Sequence, residues 1–307
     1  MPEPKSIRVH PSQQRLHSLV PSLHPSRTVL TGNKDKYSKM QERHQFLEHL
    51  PPHTKVYKYS GFQHLEAAVS EEYKRFIHEN KSPCVVFTDI SQNEIEIHEE
   101  ILPGRIDYSP TLQTLILYIP SLPHEEAAEA FGCRIAIQAE EMGILDALSL
   151  RGATRTKTTD RRKQADRSWA PFDIPGRSTQ WPTVALEVAF AESRERVKQD
   201  MAWWLHQSAG DVRMAISIDI KRQSGNIYVT SWERGIQHPY PEINPIQEIK
   251  ISRGKDGKPP TLTGNDLVIP FRQMMLRPPT HNAKDFIFTK GELLRIGRVI
   301  WRAMAHM

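Results

Sequence analysis

The sequence of 307 residues contains only two cysteines, Cys84 and Cys133, and its longest apolar runs are short. Two thiols cannot form a disulfide framework or a four-thiolate zinc site. The apolar run at 115–119 is far shorter than the roughly 20 residues that cross a bilayer. No apolar N-terminal segment precedes a small-residue cleavage site. We therefore expect no membrane-spanning helix and an intracellular location, either nuclear or cytoplasmic.

Several catalytic motifs are absent as well. The sequence has neither the Gly-x-x-x-x-Gly-Lys-Ser/Thr loop nor the Gly-x-Gly-x-x-Gly turn that hold nucleotide phosphates. It also lacks the His-Glu-x-x-His zinc motif and the Gly-x-Ser-x-Gly nucleophile elbow. Nucleotide hydrolysis, dinucleotide redox chemistry, zinc proteolysis and serine hydrolysis are therefore unsupported.

The excess of positive charge lies at the N-terminus. Residues 1–45 contain eight Lys/Arg and three Asp/Glu, which equals the net charge of +5 of the whole chain. The same stretch has five prolines and no sustained apolar period, so it cannot form a core of its own. We predict a basic, Pro-rich arm over 1–45. It is either a solvated extension or a segment that contacts nucleic acid or an acidic partner.

Hydrophobic periodicity predicts an α/β fold after the arm. Helices are predicted over 65–78, 124–148 and 193–208, and a final helix from Thr289. Strands are predicted at 85–87, 95–97, 114–119, 183–190, 212–220 and 226–232. The change from short strands to alternating strands and helices indicates a mixed sheet flanked by helices.

Three carboxylates stand out in this pattern. Asp166 follows a basic segment, Glu187 interrupts the apolar strand at 183–190, and Glu125 lies at the start of the helix predicted from residue 124. Carboxylates at neighbouring strand ends can hold Mg²⁺, which prefers oxygen ligands. Each has a simpler interpretation too: a surface ion pair for Asp166, a structural ion pair for Glu187, and a favourable interaction with the helix dipole for Glu125. An unpaired carboxylate in a buried strand would cost several kcal/mol, so Glu187 needs a partner.

These segments resemble the PD-(D/E)XK nuclease superfamily, and more narrowly a group of uncharacterised fungal members. The similarity rests on Lys163-Gln164-Ala165-Asp166, on the strand 181–188 with Glu187, and on the helix with Asp200 and Trp204, and it covers about residues 110–307. It implies a restriction-endonuclease-like fold in which Asp166 and Glu187 are the metal ligands and Glu125 is the helix-borne acidic residue. The metal would be Mg²⁺ or Mn²⁺.

The sequence departs from the superfamily at one position. The lysine that normally follows the second carboxylate by two residues is replaced by Ala189. Lys198 on the following helix, Lys163 before Asp166, or Lys221 after the next strand are candidates to replace it, in that order, and Gln164 could position water. Strand alternation predicts Gln164 on the same face as Asp166, with Lys163 on the opposite face.

A basic segment precedes Asp166. We predict that its side chains bind the phosphate backbone of a nucleic acid, with affinity that falls steeply with salt; these are Arg151, Arg155, Lys157, Arg161, Arg162 and Lys163. The competing interpretation is a solvated hairpin.

Together these observations predict three regions: the arm at 1–45, an accessory α/β region at 46–110, and a restriction-endonuclease-like core with a C-terminal extension at 111–307. The predicted function is a divalent-metal-dependent nuclease acting on DNA or RNA. The alternative is a catalytically degenerate member that binds nucleic acid or protein. Homo-oligomer formation is left open.

Overall fold

A computed structural model describes most of the chain. The described residues are 29–152, 154–172, 174–177, 179–235, 242–254 and 258–307. The chain divides into two units, Met1–Gln41 and Glu42–Met307. In the first unit the described residues, 29–41, are helical. Residues 1–28 of the predicted arm lie outside the described residues, and the rest of the arm belongs to a helix.

The described chain contains seven α-helices and fifteen strands. The helices are α1 (Val29–Leu47), α2 (Phe62–Glu79), α3 (Gln92–His98), α4 (Leu122–Glu141), α5 (Arg194–Gln207), α6 (Phe271–Met275) and α7 (Lys290–Met304). The strands in the first half are β1 (Lys55–Lys58), β2 (Cys84–Thr88), β3 (Arg105–Ser109), β4 (Thr114–Tyr118), β5 (Leu148–Leu150), β6 (Arg155–Lys157) and β7 (Arg162–Gln164). Those in the second half are β8 (Arg167–Pro171), β9 (Val184–Phe190), β10 (Met214–Ile220), β11 (Ile227–Arg234), β12 (Ile243–Ser252), β13 (Thr261–Thr263), β14 (Leu267–Ile269) and β15 (Phe286–Phe288).

Two mixed sheets carry the second unit. A six-stranded sheet has the order β1-β2-β4-β3-β7-β6, with β1 and β2 parallel. A seven-stranded sheet has the order β13-β12-β11-β10-β9-β8-β5, with β9 and β10 parallel and joined through α5. Strands β14 and β15 form a separate ribbon. The predicted fold class, α/β with mixed sheets flanked by helices, is confirmed.

The alternation of side chains along β9 sets the two faces of the larger sheet. Val184, Leu186 and Val188 join the main hydrophobic core, which includes residues of α4 and α7. Ala185 and Ala189 face the other way, into a second cluster with residues of α5. Because β-strand side chains alternate, Glu187 lies on the α5 side of the sheet.

Several predicted elements differ from the structure. The segment 95–97 was predicted as a strand but lies in α3, because Ser91 caps this helix by accepting a hydrogen bond from the Glu94 N–H and Ile95 points into the core. A three-residue alternation is too short to separate a strand from one helical turn. The helix predicted to reach residue 148 ends at Glu141, and a 3₁₀ turn and β5 follow. Gly143, which has a φ of +66°, accompanies this change of direction.

The predicted boundaries after residues 45 and 110 stay predictions. Strands from both 46–110 and 111–307 share the six-stranded sheet, since β3 pairs with both β4 and β7.

The chain crosses from the smaller sheet to the larger sheet within three residues. Gln164 ends β7 in the smaller sheet, while the Asp166 N–H already donates to the Leu186 carbonyl of the larger sheet. The site residues lie at this crossing.

Candidate functional site

Both carboxyl oxygens of Asp166 are occupied by groups of the protein itself. The Arg105 Nε lies 2.7 Å from Asp166 Oδ1, and the His124 Nε2 lies 3.1 Å from Oδ2. The Val188 N–H donates to the same Oδ2 at 2.5 Å. Asp166 is 2% exposed. The simple interpretation of Asp166 as a surface ion pair is therefore wrong: the residue is buried in an ion pair.

Glu125 shares both cations with Asp166. Arg105 donates two hydrogen bonds to the Glu125 carboxylate, at 2.6 and 3.2 Å, and the His124 Nδ1 lies 3.2 Å from Glu125 Oε1. Glu125 belongs to the first turn of α4, as predicted. One guanidinium and one imidazole thus bridge Asp166 and Glu125, two of the three carboxylates that the sequence assigns to the metal site.

Glu187 has different partners. The Lys163 Nζ lies 3.3 Å from Glu187 Oε1, and the Trp204 indole N–H donates to the same oxygen at 2.6 Å. Lys163 also lies 3.2 Å from Asp200 and is 3% exposed. Because β7 and Asp166 belong to different sheets, the predicted strand alternation does not extend from Lys163 to Asp166. The structure instead directs Lys163 toward the second carboxylate.

A second group of buried charges lies beside Lys163, and its members come from β3, from α5 and from the residue before β7. Asp107 on β3 accepts from Arg161 at 2.6 Å and from Arg196 at 2.9 Å. Asp200 lies 3.2 Å from Arg161 and 3.5 Å from Arg196. Arg196 also donates to the Tyr118 hydroxyl at 2.7 Å. We refer to the whole set as the internal ion network; its members are Arg105, Asp107, His124, Glu125, Arg161, Lys163, Asp166, Glu187, Arg196 and Asp200.

The pKa values follow from burial and from these pairings. Burial alone would lower the pKa of His124, but the charge of Asp166 and the hydrogen bonds to Asp166 and Glu125 outweigh it and raise the pKa to about 9. Burial would raise the pKa of Asp166, but His124 and Arg105 hold it below its usual value. His124 is therefore cationic and Asp166 anionic at neutral pH.

The pKa of Glu187 is shifted upward, in the direction opposite to the pKa of Asp166. Burial raises the pKa of Glu187 to about 7 against the lowering effect of Lys163, and the charges of Asp166 and Asp200 raise it too. Burial and the charge of Asp200 raise the pKa of Glu192, next to the site, to about 8. With Glu187 ionised, the network has five carboxylates and five cations, so its charges cancel.

The other predicted residues lie in different positions. Lys198 is exposed on α5, whose inward side carries Arg196 and Asp200, and it does not line the site. The Gln164 side-chain oxygen accepts from the Ile106 N–H at 3.3 Å. The Lys221 Nζ lies 2.6 Å from Asp219 and donates to the Glu192 carbonyl. The catalytic roles assigned to Lys198 and Gln164 stay predictions.

The basic segment is partly internal. Arg161 and Lys163 belong to the ion network, and Arg162, 5% exposed, pairs with Glu96 at 2.5 Å. These three side chains cannot contact a phosphate backbone unless their ion pairs open. Arg155 and Lys157 pair with Glu99, at 3.2 and 3.1 Å. The segment is a hairpin of the antiparallel strands β6 and β7, but most of its basic side chains are paired with acidic residues and are not simply solvated.

Arg151 is the remaining member of the predicted phosphate-binding set. Its guanidinium donates to the Thr179 carbonyl at 2.7 Å. Nucleic-acid binding by Arg151, Arg155 and Lys157 stays a prediction.

The cavity at the site is small. It has a volume of about 30 Å³ and is lined by Arg105, His124, Lys163, Asp166 and Glu187, among others. Such a space holds very few water molecules. A larger cavity of about 780 Å³ adjoins it through Glu192. A phosphodiester does not fit between the carboxylates in this conformation.

A divalent metal ion does not fit the site either. Within the described ranges no group of three or more His, Cys, Asp or Glu side chains is arranged to hold a metal. The oxygens of Asp166 that would bind Mg²⁺ or Mn²⁺ already contact two cations and a backbone N–H. A metal would have to displace Arg105 and His124 from Asp166.

No helix of the described residues is long and apolar enough to cross a membrane.

Sequence reasoning missed Arg105, Asp107 and Arg196. Arg196 and Asp200 have the i, i+4 spacing of an ion pair on one helix face, which is a signal in the sequence. No local pattern links Arg105 or Asp107 to their partners, because these lie 20 to 89 residues away in the chain.

No protein-family model matches the sequence, and no curated protein matches it. Among solved structures, the chain is similar to one from Anabaena variabilis ATCC 29413 described as "a putative nuclease belonging to DUF820". The sequence identity is 10% and the TM-score is 0.37, over 70% of this chain and 99% of that chain. At this TM-score the similarity adds nothing to the inference from the site itself.

Proposed function

We propose that this chain is a restriction-endonuclease-like module that binds nucleic acid without cleaving it. The observation that carries the proposal is the complete pairing of Asp166 with Arg105, His124 and the Val188 N–H. In this arrangement protein cations neutralise the carboxylates that a nuclease would use for a metal. The resemblance of the sequence to the PD-(D/E)XK superfamily, and to its uncharacterised fungal members, supports the assignment to a nuclease-like class.

The order of elements around the site supports the proposed fold family. Helix α4 is followed in the larger sheet by β5, β8 and β9, which pair antiparallel in succession. Helix α5 then crosses over to β10, parallel to β9. Asp166 lies just before β8 and Glu187 lies within β9. These are the positions that the resemblance implies for the two acidic residues.

Ala189 supports the non-cleaving function. It is 4% exposed and packs in the cluster with Val197, Met201 and Trp204 of α5. A lysine at this position would have to enter the contact between β9 and α5. The small side chain therefore has a packing role, and position 189 itself does not supply the ammonium that orients water in the superfamily.

A second function remains a candidate because of one contact. The Lys163 Nζ lies 3.3 Å from Glu187, so an ammonium adjoins the second carboxylate despite Ala189. This contact favours the metal-dependent nuclease, with Asp166, Glu187 and Glu125 as ligands of Mg²⁺ or Mn²⁺. That function requires the pairs at Asp166 to open first.

Calorimetric titration with MnCl₂ and cleavage assays on plasmid DNA and on RNA separate the two functions. We expect the wild type to bind a labelled nucleic acid while showing no heat of Mn²⁺ binding and no cleavage. Cleavage that depends on Mn²⁺ and is abolished by Glu187→Gln would establish the nuclease instead. Absence of nucleic-acid binding would refute the proposed module.

Arg105→Gln tests whether the guanidinium takes the place of a metal. Arg105 contacts both Asp166 and Glu125, so its removal leaves these carboxylates with an excess of negative charge. We expect this variant to gain Mn²⁺ binding that the wild type lacks. Arg298→Gln, which removes an exposed arginine from α7, is the matched control and should gain none. A folded Arg105→Gln variant that binds no Mn²⁺ contradicts the idea.

A further inference from the structure

We infer that a groove with four arginines binds the phosphate backbone of a nucleic acid, an inference that rests on the proposed function. The groove has a volume of about 700 Å³. Its charged lining residues are Arg213, Arg234, Arg272, Arg277 and Glu233. We refer to it as the arginine groove. None of these arginines belongs to the basic segment before Asp166.

The positive charge of the arginine groove is not neutralised. Glu233 is the single carboxylate of its lining, and it already accepts a hydrogen bond from Gln273 at 2.6 Å. Arg213, Arg234 and Arg272 are exposed and form no ion pair with the part of the chain that the structure describes. In contrast, the basic residues near Asp166 are nearly all paired. The net charge left in the groove suits a ligand with several negative charges.

The fourth arginine is held in place. Arg277 lies over the ring of Phe271 at 5.3 Å, and it donates to the Thr280 hydroxyl at 3.3 Å. Phe271 itself is fully buried, so it supports the guanidinium from below. A cation–π contact restrains a guanidinium and leaves N–H groups available for a contact to phosphate.

The arginine groove is separate from the candidate site. The Arg213 N–H donates to the Thr183 carbonyl, so the groove adjoins the N-terminal ends of the parallel strands β9 and β10. Glu187 lies four residues further along β9, which is about 13 Å at 3.3 Å per residue. A ligand in the groove therefore interacts with different residues from those of the ion network.

The chemistry of the lining favours phosphates over bases or a protein partner. The groove has no aromatic lining residue, so it lacks a platform for stacking bases. Its apolar lining consists of Val212, Leu276 and Pro278, without the large aromatic anchors that are enriched in protein interfaces. A nucleic-acid backbone supplies one negative charge per nucleotide along the groove. We therefore expect binding that depends little on base sequence.

The test is the salt dependence of binding to a fluorescently labelled 20-base-pair DNA duplex. Four phosphate contacts predict a slope of about −3.6 in a plot of log K against log salt concentration. The double variant Arg213→Gln/Arg272→Gln should reduce this slope to about −1.8 and weaken binding roughly tenfold or more near 0.1 M salt. Both residues are exposed, so the substitutions leave the core intact.

The matched control is Arg298→Gln/Arg302→Gln, which removes the same charge from exposed positions on α7. This control should retain the wild-type slope. Equal effects of the two double variants, or no effect of the groove variant on a wild type that binds DNA, would overturn the groove while leaving the proposed function intact. Polyglutamate, an acidic polypeptide, serves as a polyanion that is not a nucleic acid. A wild type that binds polyglutamate but neither the duplex nor RNA would overturn both the arginine groove as a nucleic-acid site and the proposed function.

Discussion

The substitution Asp107→Asn tests how strongly the internal ion network stabilises the fold. Asp107 is completely buried, and its carboxylate accepts from Arg161 and Arg196. The amide has nearly the same size, so packing is retained while the charge is lost. Two buried guanidinium groups would then share the remaining carboxylate, Asp200.

The expected magnitude follows from the pKa of Asp107. Burial would raise this pKa, but Arg161, Lys163 and Arg196 lower it from 3.8 to about 2. A difference near two units corresponds to about 2.5 kcal/mol of stability at neutral pH. Removing one partner of a buried ion pair costs about 3–5 kcal/mol, because the other charge stays buried. We expect a loss of about 3 kcal/mol.

Urea unfolding at pH 7, followed by tryptophan fluorescence, measures this loss. Because the pKa of Asp107 is lowered in the folded state, the contribution of Asp107 to stability is present above about pH 4 and is lost as the pH falls toward about 2. The difference between wild type and variant should therefore shrink over that range. Glu195→Gln, an exposed acid-to-amide change on α5, should change stability by less than about 0.5 kcal/mol. A loss below about 1 kcal/mol, or one independent of pH, would refute the reasoning.

Two further predictions concern His124 and the candidate lysines. The pKa of His124 is raised to about 9, so its contribution to stability is full below about pH 6.5 and is lost as the pH rises through about 9. His124→Gln should abolish this loss of stability, as measured by urea unfolding. An unchanged dependence of stability on pH would contradict the pairing with Asp166. Lys163→Met should destabilise the fold by several kcal/mol, because Glu187 and Asp200 lose a buried partner, whereas Lys198→Met on the exposed side of α5 should change stability by less than about 0.5 kcal/mol. Thermal unfolding of the two variants compares them directly, and similar melting temperatures would contradict the difference in burial.

The closed site and the open groove divide the charges of this protein into two kinds. Charges of the ion network are mostly buried and are paired with one another, so they hold β3, β7, α4 and α5 together around Asp166 and Glu187. Charges of the arginine groove are exposed and unbalanced, so they are available to a ligand. This division is the physical basis for proposing binding rather than cleavage. It also makes the two proposals testable with different variants.

Local sequence determined most of the elements around the site. The apolar run 183–190 is long enough to specify a buried strand, and the structure has β9 at Val184–Phe190. Thr289 caps α7 and forms a capping box with Glu292, in agreement with the predicted helix start. Short segments were less certain. The three residues 95–97 satisfied a strand pattern, but the cap at Ser91 and the burial of Ile95 made them helical.

Apart from the i, i+4 pair of Arg196 and Asp200, tertiary structure decided which charges of the ion network meet. Glu187 in an apolar strand required a partner, but the sequence ranked Lys198 before Lys163, and the structure brings Lys163 to Glu187 and exposes Lys198. The partners of Asp166 and Asp107 come from other strands and helices, up to 89 residues away. Hydrophobic periodicity is a local property, because each element buries one face by its own spacing. Ion pairing depends on distances of a few ångströms between elements, and only the packed fold determines these distances.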